Sequence, residues 1–276
     1  MRITFVGHVC VDKNVIRGEV ETFHGGGVIH GAVTAKRLGA EVSVLTKCAE
    51  ADREHFTSFS EAGVEAVFLP SPRSTSIRNE YPSENPDDRR SSIVSQAEPF
   101  SAADLAAIAP GVIHLNPLWY GEFPLELLPQ LKRSATVLGA DAQGLLRHVE
   151  ADGALCYRDL RDGRDALALL DVFKVDTREA QILTGLSDPR AAAAAVHALG
   201  PRIVVLTHRD GVCVHDGREF YESPFTGFTV EGRTGRGDTC TSAFLVGMQR
   251  MGLREATALA AEVTSKKMQY RGAYRG

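Results

Sequence analysis

The sequence predicts an α/β fold, with a mainly parallel central sheet, helices on both faces and a small β lid. Three observations carry that expectation. Strand-like and helical runs alternate along the chain, the order that packs helices on both sides of a parallel sheet. Strand runs such as RIVVLTH (202–208) are almost continuously apolar, as strands covered on both faces are. Two segments, about 12–24 and 71–96, break the alternation with short strand-like patches of polar composition, the material for a lid.

The elements follow in order. ITFVGHV (3–9) is a β-branched first strand, and KNVIRGEVETFH (13–24) reads as strand, turn, strand. VIHGAVTAKRLG (28–39) is helical and stops at glycine; EVSVLTKC (41–48) is a strand. REHFTSFSEAG (53–63) is a short helix before the strand VEAVFLP (64–70). Within 71–96, PSENPDDRR is a turn or tip. SAADLAAIAP (101–110) has a serine cap and a helical pattern, GVIHLNP (111–117) is a strand, and PLELLPQLKR (124–133) is a helix. TVLGADAQ (136–143) is a strand, RDALALLD (164–171) is helical, and VFKVD (172–176) is a strand. REAQILTG (178–185) and DPRAAAAAVHALG (188–200) are helices. After RIVVLTH, the stretch GVCVHDGREFYESP (211–224) is a hairpin around Asp-Gly. Phe228–Val230 is extended in character, one helix opens near Asp238, and LREATALAAEVTSKKMQY (253–270) is the last helix.

Composition excludes several classes. The 276 residues suit one large α/β domain with a small appendage. There are 31 Lys and Arg against 35 Asp and Glu, a net charge of −4 with no basic run, which argues against nucleic acid as a partner. Five scattered cysteines without CxxC spacing point to reduced thiols and a cytoplasmic location. The N-terminus lacks a signal-peptide pattern, and no apolar run is long enough to span a membrane.

Ligands of parallel sheets gather beyond the carboxyl ends of the strands. Asp12, Asn116, Asp141, Asp176 and the turn 232–238 all follow predicted strands and share that edge. The turn is the most informative: Gly232, Gly235 and Gly237 precede a helix opening at Asp238, so free N–H groups and a positive helix end converge on a place that suits phosphate. Asp238 reads equally as a plain N-cap. HGGG (24–27) matches the oxyanion motif of esterases, but no serine has glycine two residues away on both sides, so that reading lacks its nucleophile. Neither a P-loop nor a GxGxxG after the first strand is present. Asp176 and Glu179 lie on one face of an opening helix. They serve either to arrange water around Mg²⁺ or to form an N-cap with a capping-box glutamate.

Together these residues resemble the ribokinase-like (PfkB) carbohydrate kinases. EGRTGRGDTCTSAF (231–244) is similar to that family's DTxGxGDxF signature, GGGVIHGAVTAKRLGA to its amino-terminal glycine signature, and VDTREAQILTG to its N-x-x-E segment. Asp12 matches a substrate-binding aspartate, and the two lid segments fall where the family carries its lid. NPLWYGEFP, DAQG and GRTGRGDT are similar to a branch associated with myo-inositol phosphorylation.

The resemblance implies a three-layer ribokinase-like sandwich and an ATP- and Mg²⁺-dependent kinase acting on a hydroxyl of a small polyol. A cyclitol such as myo-inositol is the preferred acceptor, and a sugar or nucleoside the runner-up. It implies Asp238 as base and the N–H groups of Gly235, Arg236 and Gly237 as anion hole. Asp12, Gly26, Gly27, His30, Arg78 and Asn79 are implied at the acceptor, Asp176, Thr207 and Gly211 along the nucleotide, and Glu179 near the metal through water. Whether two lids pair across a homodimer stays open, as does a ligand-binding homologue without catalysis. The chain departs from the family at His30 and Asp176, where asparagine is usual, and at His208, where glycine is. Arg236 replaces a small residue and either reaches a phosphate or points to solvent. Gly232 stands where relatives place an aspartate that helps hold a monovalent cation.

Overall fold

The structure, a computed structural model, describes residues 1–16, 18–81, 90–160, 163–227, 232 and 234–276. The expected tip within 82–89 and the extended stretch 228–230 lie outside them.

The chain opens with β1 (Arg2–Val6), β2 (Cys10–Ile16), β3 (Glu19–Gly25) and helix α1 (Gly27–Arg37). Next come β4 (Glu41–Cys48), α2 (Ser58–Ala62), β5 (Glu65–Pro70), β6 (Ser76–Tyr81) and β7 (Arg90–Ser95). β8 (Gly111–Leu115), α3 (Leu128–Ser134), β9 (Ala135–Asp141), α4 (Gln143–Leu146), β10 (Arg147–Val149) and β11 (Leu155–Tyr157) follow. The second half holds β12 (Val172–Asp176), α5 (Thr177–Thr184), α6 (Pro189–His197) and β13 (Ile203–Thr207). It ends with β14 (Gly211–His215), β15 (Phe220–Pro224), α7 (Arg236–Met248) and α8 (Leu253–Lys267).

Nine strands form the central sheet in the order β15-β14-β13-β12-β9-β8-β1-β4-β5. All neighbours run parallel except the β13–β14–β15 edge, which is antiparallel. Alternate residues supply two cores. Ile3, Phe5, Val44 and Val205 pack with α1, α7 and α8 on one face; Val6, Leu45, Val204 and Leu206 pack with α3, α5 and α6 on the other. This is the period of two that a strand covered on both sides requires. A separate four-stranded sheet, β3-β2-β6-β7, joins the two interrupting segments, with β2 and β6 parallel. Its inner face carries Cys10, Ile77 and Ile93, which cluster with Leu118 and Trp119 beyond the end of β8.

Four expected helices are shorter than their patterns, among them 53–63, where the α-helix covers only Ser58–Ala62. Only a 3₁₀ turn, Asp104–Ala107, forms within 101–110, because Asp104 turns back to Ser101 N–H at 2.7 Å and pairs with Lys47 at 2.7 Å. In 124–133 the α-helix waits until Leu128, since Pro129 has no N–H and fits only a first turn. Residues 164–169 form another 3₁₀ turn. β1 stops at Val6 rather than running to 9, so Asp12 sits on β2 of the small sheet rather than directly after the first strand. Between β1 and β2 the chain packs tightly on the end of β8 at Gly7, where a Cβ would stand 2.5 Å from the Asn116 carbonyl.

Candidate active site

Two helix N-termini meet at Asp238. Helix α7 begins at Arg236 after Gly235, which takes the left-handed φ of 76° that glycine accepts readily. The first helical hydrogen bond runs from Thr239 N–H to the Gly235 carbonyl, so the N–H groups of the first turn lie ahead of the ladder. Helix α1 begins at Gly27 after Gly26, whose φ is 123°. A Cβ on Gly27 would stand 2.6 Å from the Asp238 Oδ1, so a bare glycine lets the start of α1 close on this carboxylate. Both helix dipoles therefore present their positive ends here.

Three polar residues complete the surroundings. Asn116, beyond β8, donates its Nδ2 hydrogen to Asp238 Oδ1 at 3.1 Å, while its own Oδ1 is buried and has no hydrogen-bond partner among the described residues. Lys174 lies in the buried face of β12, with Nζ 3.3 Å from Asp141 Oδ2 and 3.5 Å from Glu179 Oε2. A Cβ on Gly237 would come within 2.8 Å of that Nζ, which places the ammonium beneath the first turn of α7. Burial alone would lower the Lys174 pKa, but Asp141, Glu179, Asp176 and Asp238 together lift it well above its ordinary value. Burial and the Asp141 charge push Asp238 up to about 6, against the pull of Lys174 and Asn116. A carboxylate so placed takes a proton near neutral pH more readily than an exposed one.

The remaining expected residues divide into groups. Gly26, Gly27, His30, Gly235, Arg236, Gly237 and Asp238 come together at the two helix starts. His30 is buried against Gly235, whose Cβ would fall 2.3 Å from the ring, and burial followed by the Lys267 charge lowers it to about 3, so the imidazole is neutral. Arg236 leans over the Phe225 ring at 6.0 Å. Asp176 and Glu179 form a full capping box: Glu179 N–H donates to Asp176 Oδ1 at 2.8 Å, and Asp176 N–H to Glu179 Oε2 at 2.7 Å. Burial raises Glu179 as well, with Lys174 opposing.

Thr207 pairs in register with Asp176 but is fully buried. Gly211 needs to be glycine for strand pairing, because a Cβ would stand 2.5 Å from the Ser223 carbonyl. Asp12 and Asn79 lie on the inner face of the small sheet; Cys10 Sγ donates to Asp12 at 2.9 Å. Asn79 donates to Asn14 Oδ1 at 3.1 Å and accepts from Ser91 Oγ at 2.7 Å. Arg78 takes the opposite face, its Nε on Glu80 at 2.7 Å, and so is not brought together with Asn79. Among the described residues no three His, Cys, Asp or Glu side chains make a direct metal cluster, and no helix is long and apolar enough to cross a membrane.

Sequence reasoning gave Asn116 and Asp141 a position without a role, and it passed over Lys174. A lysine inside the apolar run VFKVD, in a strand covered on both faces, was the available signal, since a buried ammonium needs partners.

Comparison with known proteins identifies the family. The profile of the pfkB family carbohydrate kinases matches residues 5–276. One solved structure, a pyrophosphate-dependent kinase in the ribokinase family complexed with a pyrophosphate analogue and myo-inositol, is 48% identical, with 99% of this chain and 97% of the other covered and a TM-score of 0.93. A second, 47% identical over 99% of this chain and 95% of the other with a TM-score of 0.91, is a pyrophosphate-dependent myo-inositol-1 kinase converted into a myo-inositol-3 kinase by changing one asparagine and one serine to leucine. Among curated proteins, a cytidine kinase of Thermococcus kodakarensis is 26% identical over 255 residues, 90% of this chain and 88% of its own length.

Proposed function

Because the chain belongs to the pfkB family of carbohydrate kinases, a phosphotransferase family with alcohol acceptors, we propose that it phosphorylates a hydroxyl of a cyclitol, with myo-inositol the favoured acceptor. The observation that carries this reading is the half-buried Asp238 carboxylate, held by Asn116 at the meeting of two helix N-termini. The acceptor hydroxyl loses its proton to Asp238 as its oxygen bonds to the terminal phosphorus. The bridging P–O bond breaks, and the leaving group departs as a phosphate. The first-turn N–H groups of Gly235, Arg236 and Gly237, with Lys174 beneath, face the charge that spreads over the moving phosphoryl oxygens.

We set inorganic pyrophosphate ahead of ATP as donor. Its support is the identity to the pyrophosphate-dependent kinases, together with buried Thr207 and strand-paired Gly211, which offer a nucleotide little open surface. ATP, the donor implied by the sequence resemblance, is the second reading, and Arg236 would meet the phosphates of either.

Magnesium is the proposed cofactor. Asp141, Asp176, Glu179 and Asp238 set four carboxylates around the Lys174 ammonium, an acidic excess that a divalent cation offsets. Asp176 and Glu179 would hold it through water, since Glu179 Oε2 already meets Asp176 N–H and Lys174. When bound, the ion neutralises charge on the donor's phosphates.

Asp12, Asn14, Asn79 and Ser91 on the inner face of the lid are the groups proposed to grip the acceptor's other hydroxyls. Lid closure would shut out water, which otherwise competes as nucleophile. We also propose a cytoplasmic setting, supported by five free cysteines, and pairing of two lids in a homodimer, supported by exposed Val20 and Val94 on lid strands.

Phosphorus NMR after incubation with magnesium, either donor, and myo-inositol, a panel of sugars or cytidine tests the assignment. An inositol monophosphate with pyrophosphate is expected. Transfer only to cytidine or a sugar would move the acceptor class, and no transfer to any alcohol would leave a binding protein.

A further inference from the structure

The turn before α7 is held by a lysine that no part of the reaction above uses. Lys267 lies in the last turn of α8 and is fully buried. Its neighbour Lys266 behaves as a helix-end lysine ordinarily does, exposed and paired with Glu262 at 2.7 Å. Lys267 instead turns inward, donating to the Gly232 carbonyl at 2.6 Å and to the Thr234 carbonyl. Among the described residues no carboxylate lies within ion-pair distance of it. A buried ammonium is costly without a counter-charge, so its placement here asks for a purpose.

Geometry supplies one. The Thr234 carbonyl and the Gly235 N–H are the two ends of one planar trans peptide. Fixing the oxygen on the ammonium aims the N–H the other way, into the turn that opens α7. Gly232 makes the contact possible: a Cβ there would stand 2.0 Å from the Met268 carbonyl, so the end of α8 closes on this loop because residue 232 has no side chain. His30, packed on Gly235, is neutral and adds no second cation. Burial draws Lys267 down to about 8, with Asp238 partly opposing, so it carries its charge at neutral pH.

We propose that Lys267 is a positioning residue that serves as a tethered monovalent cation. Its ammonium gathers the Gly232 and Thr234 carbonyls and sets the anion-binding turn, so that phosphoryl transfer needs no free monovalent ion. The proposal rests on the kinase reading above.

The test compares the full-length wild type with Lys267→Ala and Lys267→Met in potassium, ammonium and tetramethylammonium salts at one ionic strength. Turnover is read together with calorimetric affinity for inorganic pyrophosphate. The wild type is expected to turn over equally in all three salts. Lys267→Ala should lose about 100-fold in kcat with little change in acceptor KM, the scale of a misplaced reacting group, and recover at least ~10-fold in ammonium or potassium but not in tetramethylammonium. Lys267→Met fills the space without charge and should lose as much with no recovery. Pyrophosphate affinity should fall and recover in parallel. That readout, with the salt dependence of wild-type affinity, stays meaningful even if no alcohol is phosphorylated, and wild-type behaviour across the salts does not depend on either variant folding. A wild type that needs potassium, a Lys267→Ala variant that keeps its kcat and anion affinity, or a loss that neither small cation restores overturns the proposal.

Discussion

Two buried lysines approach the start of α7, and their partners differ. Lys174 comes from β12 and meets carboxylates, Asp141 and Glu179, with Asp238 close enough to raise its pKa further. Lys267 comes from α8 and meets backbone carbonyls, those of Gly232 and Thr234. The same side chain thus does two kinds of work. Among acids, an ammonium is locked in its charged form and acts through space on the groups that change charge during transfer. Among carbonyls, it orders the chain that carries the N–H groups. One lysine sets the electrostatics of the site, and the other sets its shape.

The largest expected effect removes the group between them. Asp238→Asn should lower kcat by about 10³-fold, the range for loss of a general base, while binding of pyrophosphate persists. It should also stabilise the fold. Asp238 is raised from 3.8 to about 6, so the folded state holds this proton more tightly than the unfolded chain does. The ionised acid therefore costs stability, with the penalty absent below pH 3.8, growing between 3.8 and 6, and complete above 6. Thermal melts of Asp238→Asn should exceed the wild type at pH 8 and converge with it in acid. A variant less stable at pH 8 would contradict the desolvation of this acid.

Lys174→Met comes next and separates the two lysines. It should cost about 10²-fold in kcat, as loss of one charge-stabilising group does. It should also move the acid limb of kcat/KM, expected near pH 6 in the wild type, upward, because Lys174 pulls the Asp238 pKa down. Lys267→Met should leave that limb much nearer its place. Equal shifts in the two variants would erase the distinction between an electrostatic and a positioning lysine.

Both lysines had traces in the sequence, and both were easy to miss. Buried Ala256, Ala260, Val263 and Lys267 recur at helical spacing, so the inward face of α8 includes Lys267 and excludes Lys266. Adjacent identical letters hide that difference until a period is applied. The glycine turn, Asp238, the parallel sheet and the paired polar segments were legible because each follows from local chemistry or from alternation. The 3₁₀ turns at 104–107 and 164–169 were not, since a single helical turn and a short helix share one apolar pattern. The opposite facing of Arg78 and Asn79 follows from the strand period, but which of them faces inward depends on tertiary packing around Trp119.

The lid offers the smallest effect on rate and a sharp one on product. Asn79 is held between Asn14 and Ser91, directly across the three strands β2, β6 and β7, so its amide has a fixed orientation on the inner face. An asparagine and a serine are the two residue types whose change to leucine converts the related myo-inositol-1 kinase into a 3-kinase. Under the cyclitol reading proposed above, Asn79 and Ser91, hydrogen-bonded to one another on the inner face of the lid, would fix which ring hydroxyl meets Asp238. The double change Asn79→Leu with Ser91→Leu should reduce turnover by about tenfold or less, the worth of one hydrogen bond, because the groups around Asp238 are untouched. The product should carry its phosphate on a different ring carbon, read by chiral chromatography or NMR of the isolated monophosphate. Unchanged regiochemistry would assign the choice of hydroxyl to Asp12 and the helix starts instead, and would make the lid a cover rather than a selector.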